Sequence, residues 1–193
     1  MKSQDNTEGS TTFSFNTSDD YYCLGLWLAD GYWRASSIGL TSISEQLIAR
    51  FSKFLQKISP NHQIKMRTYI SGKRKHKAFC VYVNDRKMTR LFMSLKTGEL
   101  NIPSEKLIPY LSGRIDGDGH YDQKHRTGIR IAYGNMFDAQ RDLQLILKFE
   151  ENSASLYVYK HAGTWVIYLR KIFLQKYLSS LCLYCIKLLP RRD

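Results

Sequence analysis

The chain has 193 residues, and its 29 Lys and Arg against 17 Asp and Glu give a formal net charge of +12 at pH 7. This length suits one compact unit or two small fused ones, and the charge favours a polyanionic partner, of which nucleic acid is the leading class. No apolar run approaches the roughly 20 residues of a membrane-spanning helix, so contact with a membrane would be limited to its surface.

The amino-terminal segment is polar and predicts a flexible arm over residues 1–18. It shows no secretion signal, and its acidic residues argue against a transit peptide. We therefore expect an intracellular protein, in the organelle or cytoplasm of the genome that encodes it. Ser18, Asp19 and Asp20 then offer N-cap groups for a helix that runs to about Asp30.

The rest of the first half alternates strands and helices, as read from periods of two and 3.6 residues. The predicted elements are a hairpin over 32–43, a helix over 44–58, strands over 63–70 and 78–83, and a helix over 85–96. In the first of those strands Lys65 and Arg67 lie on the side opposite Ile64 and Met66, so that side suits phosphates. The basic tip that follows, with Lys73, Arg74, Lys75 and Lys77, is either a solvated turn or a clamp on a nucleic-acid backbone.

Residues 97–104 contain Gly98 and Pro103 and predict a linker, after which the order of elements repeats. The second set is a helix over 104–118, strands over 120–124 and 127–133, a helix over 137–150, a hairpin over 154–160 and 164–170, and a helix over 172–189. In the hairpin, Leu156 and Val158 should face the helices. Tyr157 and Tyr159 should face outward, where they either pack on the sheet or contact nucleic acid.

The four cysteines do not suggest a disulfide framework in a chain of this length. Cys182 and Cys185 form a C-x-x-C pair inside the last predicted helix. We interpret them as core positions, because a zinc site would need two further ligands at suitable spacing.

Two runs share one plan, Cys23–Gly31 and Leu111–Gly119. Small residues recur at four-residue spacing in each, Gly25 with Ala29 and Gly113 with Gly117. On a helix this spacing puts both small residues on one face, so two such helices can pack until their backbones nearly touch. Each run ends in Asp-Gly, so Asp30 and Asp118 would meet and form a negative pocket suited to a divalent hard cation.

Both runs resemble the signature of the LAGLIDADG homing endonucleases of the single-chain, two-motif type. The resemblance places the family's helix-packing small residues and metal-binding acids on the positions just described, while its sixth-position acid is present only as Asp116. It implies an α+β fold with a pseudo-twofold αββαββα repeat. Two antiparallel sheets would form a DNA-binding saddle around the packed motif helices. The repeats would span 19–96 and 105–190, joined by the linker at 97–104.

The resemblance also implies an activity: a monomer that binds double-stranded DNA over a long target site and cuts both strands across the minor groove. Asp30 and Asp118 would be the catalytic residues and would bind Mg²⁺, or Mn²⁺ as its substitute. Asp116 points away from Asp118 and is expected to make a polar contact instead. The residues expected to contact DNA are Arg34, Lys65, Arg67, Lys73, Arg74, Lys75, Lys77, Lys124, Arg126, Arg130, Tyr157, Tyr159 and Arg170.

The chain departs from the family where a strand-end Lys or Gln usually helps to position water and phosphate. The matching stretches end at Ile43 and Gly134, and the possible substitutes are Lys96, Lys187, Arg34 and Lys124. This departure keeps open an RNA maturase or structural RNA-binding protein, with intron RNA as a partner. A basic transcription regulator outside the family would leave the duplicated helices unexplained.

Overall fold

The chain runs twice through the same order of elements in the computed structural model, which describes residues 13–71, 76–121 and 128–189. The first half contains α1 (Ser18–Asp30), β1 (Gly31–Arg34), β2 (Ser37–Ser42), α2 (Glu45–Ile58), β3 (Ile64–Ser71), β4 (His76–Asn84) and α3 (Arg86–Thr97). The second contains α4 (Leu107–Asp118), β5 (Gly119–Tyr121), β6 (Ile129–Tyr133), α5 (Met136–Phe149), β7 (Ala154–Tyr159), β8 (Thr164–Leu169) and α6 (Lys171–Cys182). The predicted αββαββα order is thus found in both halves.

Each half builds one antiparallel four-stranded sheet, with strand orders β1-β2-β4-β3 and β5-β6-β8-β7. Side chains alternate between two faces of each sheet, and the inner face supplies buried residues such as Ile38, Val81, Ile131 and Ile167 to the core. The opposite face, which we call the outer face, is turned away from this core. The α+β fold class expected from the sequence is confirmed.

The motif helices α1 and α4 pack backbone to backbone at the centre of the molecule. A Cβ atom added to Gly25 would overlap the carbonyl oxygen of Tyr110, and one added to Gly113 would overlap that of Tyr22. One added to Gly117 would overlap the Cβ of Ala29. The two helices can approach this closely only because these positions carry glycine or alanine, as the four-residue spacing predicts.

The amino-terminal prediction needs correction from residue 13 onward, because this part of the expected arm is packed. The rings of Phe13 and Phe15 lie 6.1 and 6.3 Å from the ring of Phe54, which joins them to the core of the first half. The N-cap of α1 is Thr17 rather than a residue of 18–20. Its hydroxyl accepts from the backbone of Asp20, whose carboxylate accepts from the backbone of Thr17 in return.

The last helix is shorter than predicted. The structure ends α6 at Cys182, and the chain then continues through Cys185 into a short 3-10 helix, Ile186–Leu188. Cys182 therefore closes α6 and is half-buried, while Cys185 lies outside that helix and is buried. The apolar pattern predicted one long helix, but the thiol of Cys185 and the backbone N–H groups of Ile186 and Lys187 donate to Asp116 of α4 instead.

Three apolar residues of β3 and β7 are exposed, Met66, Ile70 and Val158, although Val158 was expected to face the helices. The basic tip residues Lys73, Arg74 and Lys75, the predicted contacts Lys124 and Arg126, and positions 1–12 and 190–193 lie outside the described residues. Within the described ranges, no helix is both long and apolar enough to cross a membrane.

Candidate active centre and nucleic-acid interface

The carboxyl ends of α1 and α4 lie side by side and present their last residues, Asp30 and Asp118, together. In each helix the glycine after the aspartate closes the last turn, with the N–H of Gly31 or Gly119 donating to a carbonyl four residues earlier. A Cβ added to Gly117 would lie 3.5 Å from Oδ2 of Asp30. The contact between the small residues therefore brings the two acids together, as their position in the two runs predicted.

The two carboxylates are partly desolvated and repel each other, although both keep contact with solvent. Partial burial, together with the negative charge of Asp118, raises the pKa of Asp30 to about 6. Burial also raises the pKa of Asp118, against the opposing charges of Arg114, Lys187 and Lys96. The helix dipoles add to the negative potential at this end. Such a pair favours a cation between its members.

Two lysines from outside the motifs cap these helix ends. Lys96, at the end of α3, donates from Nζ to the carbonyl oxygen of Leu28 at 2.9 Å. Lys187 donates to the carbonyl oxygens of Gly117 and Gly119 at 2.6 and 3.2 Å. Both were among the possible substitutes for the strand-end bases. The strand ends supply none, since Ile43 is apolar and exposed and a Cβ on Gly134 would meet open space.

A buried ionic network beneath α4 was not found from the sequence. The Nε atom of Arg114 lies 2.9 Å from Asp142, and its guanidinium lies 4.5 Å from the ring centre of Tyr133. Asp142 also accepts hydrogen bonds from the hydroxyls of Tyr110 and Tyr133 at 2.8 and 2.9 Å. The signal was present, because Arg114 is a charged residue in the middle of an apolar motif.

The network continues from the second half into the first. Asp138 lies 2.9 Å from Nζ of Lys96 and 2.8 Å from Arg141. Arg141 donates to the carbonyl oxygens of Lys96, in the last turn of α3, and of Gly98, its C-cap. The position of Lys96 at the end of α1 is thus held by residues of α5.

The donor set near the acids fits a hard cation only in part. The described residues contain no group of three or more His, Cys, Asp or Glu side chains that could hold a metal. Asp30 and Asp118 supply two hard oxygen ligands, and Mg²⁺ is commonly bound by one or two carboxylates with waters and substrate phosphates. The pair therefore fits a metal whose shell is completed by water and a nucleic-acid phosphate.

The outer face of the first sheet is basic. Lys65 lies opposite Tyr82 in the strand register, so Lys65, Arg67 and Tyr82 share this face, and the guanidinium of Arg67 lies 5.2 Å from the ring centre of Tyr82. Arg34 extends it from the end of β1. Lys77 does not belong to this set. It pairs with Ile70 on the other side of β4, and its ammonium lies 4.8 Å from the ring centre of Phe79.

The outer face of the second sheet is aromatic. Tyr157, Tyr159, Tyr168 and Val166 line a shallow depression there, together with the guanidinium of Arg130. Tyr157 pairs with Val166 and alternates with Leu156, which pairs with the buried Ile167, so Tyr157 and Tyr159 face outward as predicted. At the edge of this face, Arg170 donates to the hydroxyl of Ser155 at 2.6 Å. The predicted contacts that the structure describes therefore lie on the outer faces, with the exception of Lys77.

Residues 20–95 match the family model described as LAGLIDADG-like domain. The full-length WhiA of Thermatoga maritima superposes with a TM-score of 0.64 at 13% identity over 92% of this chain, which spans 60% of WhiA. A mesophilic variant of the homing endonuclease I-DmoI gives 0.62 at 19% identity over 85% of this chain and 88% of its own. I-DmoI in complex with DNA and Mn gives 0.62 at 19% identity, over 85% of this chain and 96% of its own. A search of curated protein sequences finds no match.

Proposed function

We propose that this chain is a site-specific DNA endonuclease, because residues 20–95 match a LAGLIDADG-like domain and the chain has the two-motif LAGLIDADG fold. It would act as a monomer inside the cell, on double-stranded DNA with a long target site, and initiate intron or intein homing. The observation that carries the proposal is the pair Asp30 and Asp118, held side by side at the ends of the motif helices. The relatives support DNA as the substrate, since I-DmoI was solved with its target DNA.

The two outer faces would bind the DNA, the first mainly through phosphates and the second through tyrosines. Lys65 and Arg67 neutralise backbone charge, which gives strong and salt-dependent affinity. A two-stranded ribbon fits the major groove, so the outer faces of β3 and β7 suit base contacts there. This placement would bring the intervening minor groove over Asp30 and Asp118.

The acid pair would hold Mg²⁺ or Mn²⁺ beside the scissile phosphate, where a bound metal lowers the pKa of an attacking water and stabilises charge on the leaving oxygen. The protein positions the remaining groups. Lys187 and Lys96 place ammonium groups at the ends of the two helices, where a phosphate oxygen would approach. They take the place of the bases that Ile43 and Gly134 cannot supply.

A second candidate is a LAGLIDADG-type RNA maturase or a nucleic-acid-binding protein that does not cut. One observation favours it: neither strand end carries the usual Lys or Gln, and Ile43 is apolar. Against it stands the acid pair, because a binding protein gains nothing from two carboxylates that repel each other beside phosphates.

Strand-resolved cleavage by charge-neutral variants tests the proposal. The substrate is a linear duplex with the uninterrupted insertion site of the encoding gene, labelled on both strands and read on a denaturing gel. Asp118→Asn and Asp30→Asn should each abolish or severely slow double-strand cleavage, and a single variant can still nick one strand. DNA affinity should stay equal or rise, because a negative charge beside phosphates is lost.

Two results would count against the endonuclease. Full cleavage by the double variant in Mg²⁺ would show that neither acid takes part in the reaction. A wild-type protein that binds its site, never cuts with Mg²⁺ or Mn²⁺, and assists splicing of its own intron would instead establish the maturase.

A further inference from the structure

The motif helix α4 carries a second acid, Asp116, which is buried and does not face the acid pair. Its carboxylate is 1% exposed and accepts four hydrogen bonds, which a buried charge requires. The hydroxyl of Tyr22 donates to Oδ2 at 2.6 Å, and the backbone N–H of Ile186 donates to the same oxygen at 2.8 Å. The thiol of Cys185 donates to Oδ1 at 3.1 Å, and the N–H of Lys187 at 2.8 Å.

Three of these four donors belong to the segment Cys185–Lys187, which follows α6. The residue before this segment is fixed to the first half, because Arg50 of α2 donates to the carbonyl oxygen of Tyr184 at 2.8 Å. The guanidinium of Arg50 also lies 3.3 Å from the ring centre of Tyr22. Asp116 is thus the point at which both motif helices and the carboxyl-terminal segment meet.

The segment ends at Lys187, whose ammonium reaches the carbonyls on both sides of Asp118. We propose that Asp116 is the positioning residue for Lys187, so that the carboxyl-terminal segment forms part of the active centre. Asp116 accepts a hydrogen bond from the backbone N–H of Lys187, and the Lys187 side chain extends from that fixed point to the end of α4. This role of Asp116 rests on the proposed endonuclease function.

The first half holds its lysine differently. Leu28 occupies the position in α1 that corresponds to Asp116, so no buried acid is available there. Lys96 is instead fixed through its own ammonium, which forms an ion pair with Asp138. In the described part of the chain no carboxylate lies within ion-pair distance of Lys187. The ammonium of Lys187 is therefore available to a phosphate, whereas that of Lys96 is paired, and the two half-sites are unequal.

Amide hydrogen exchange combined with strand-resolved cleavage tests the proposal. Asp116→Asn replaces one acceptor oxygen by an NH₂ group, which would face either Tyr22 and the N–H of Ile186 or Cys185 and the N–H of Lys187. At least one of these two amides should therefore lose protection, while those of α4 keep it. Lys187→Gln should leave these amides protected. In single-turnover cleavage with Mg²⁺, each variant should slow the same strand by about 10- to 100-fold, the usual effect of losing a group that orients a site.

The double variant separates positioning from general destabilisation. If Asp116 acts through Lys187, Asp116→Asn combined with Lys187→Gln should be no slower than Lys187→Gln alone. Ile186→Pro removes one donor to Asp116 and keeps both side chains, so it replaces Asp116→Asn should that variant fail to fold. Lys176→Gln is the matched control. It removes a second-half lysine that pairs with Glu150 at 2.6 Å on the surface, and it should cut at the wild-type rate.

The possible failures are distinguishable. Unchanged exchange at Ile186 and Lys187 in Asp116→Asn would overturn the docking role, whatever the cleavage rates are. Additive losses in the double variant would show that Asp116 acts independently of Lys187, which also overturns the proposal. A wild-type protein that cuts neither strand would overturn the endonuclease function, while the exchange measurement would still decide whether Asp116 docks the segment.

Discussion

The two halves of this protein share an order of elements and the same Asp-Gly helix end, yet they support those ends with different chemistry. Beneath α1 lies an aromatic cluster in which the ring centres of Trp27 and Phe92 are 4.8 Å apart. Beneath α4 lies the ionic network of Arg114 and Asp142. Leu26 and Arg114 occupy equivalent positions in the two motifs, and both are buried. The difference shows that a pseudo-twofold backbone leaves the surroundings of each half free to diverge.

Replacement of Arg114 should have the largest effect on stability and should show the difference between the two halves most clearly. Arg114→Met removes the nearer cation of the buried Asp142 and leaves only Arg141, whose Nε lies 3.8 Å away, and breaking a buried ion pair costs about 3–5 kcal/mol. Leu26→Met, at the equivalent position of α1, should cost less than about 1.5 kcal/mol. Urea unfolding of both variants measures the difference. Equal losses would mean that the network adds nothing to the second half.

Overpacking the central contact should affect both halves alike, by the next largest amount. Gly113→Leu forces a side chain into the backbone of α1 at Tyr22, and overpacking of this kind costs about 1–3 kcal/mol or more. Gly25→Leu should cost a similar amount against Tyr110. Gly134→Ala is the control, because its new Cβ would meet open space. Thermal melts of Gly113→Leu that matched the parent would show that the helices are not in close contact.

The outer faces should differ in the salt dependence of DNA binding. Replacing Lys65 and Arg67 by Ala removes two phosphate contacts and should reduce the slope of log affinity against log salt by about 1.8. Replacing Tyr157 and Tyr159 by Ala should lower affinity at every salt concentration and leave the slope unchanged. Fluorescence anisotropy at several salt concentrations measures both. Equal slopes in the two variants would remove the distinction between a basic and an aromatic face.

The smallest expected effect is a pH-dependent change in the stability of the metal-free protein. The folded pKa of Asp30, about 6, lies above its ordinary value, so the stability it contributes is complete near pH 4 and is lost as pH rises through 6. Asp118→Asn removes one cause of this shift and should therefore stabilise the protein at pH 7.5. Because both carboxylates contact solvent, screening should keep the gain below about 1 kcal/mol.

Thermal melts in chelator at pH 7.5 and pH 4.5 check that sign. The gain from Asp118→Asn should shrink at pH 4.5, because Asp30 of the wild type is then protonated and no longer repels Asp118. Addition of Mg²⁺ at pH 7.5 should stabilise the wild type more than the variant. A gain that is equal at both pH values would mean that the two carboxylates do not interact.

The sequence by itself determined the repeated order of elements, the packing of the motif helices and the position of Asp30 and Asp118. These features depend on local periodicity and on small residues at fixed spacing, and both can be recognised in the sequence. It also indicated the outward direction of Tyr157 and Tyr159, because side chains alternate along a strand. Their roles toward DNA remain predictions.

Tertiary structure alone decided which residues surround the acid pair. Lys96 and Lys187 lie 66 and 69 positions after their aspartates, and no local pattern connects such distant residues. The sequence predicted a helix through Lys187, because its apolar residues continue past Cys182. The chain leaves that helix because Asp116 and Arg50 bind the backbone of residues 184–187, and hydrogen bonds between distant segments have no signature in local periodicity.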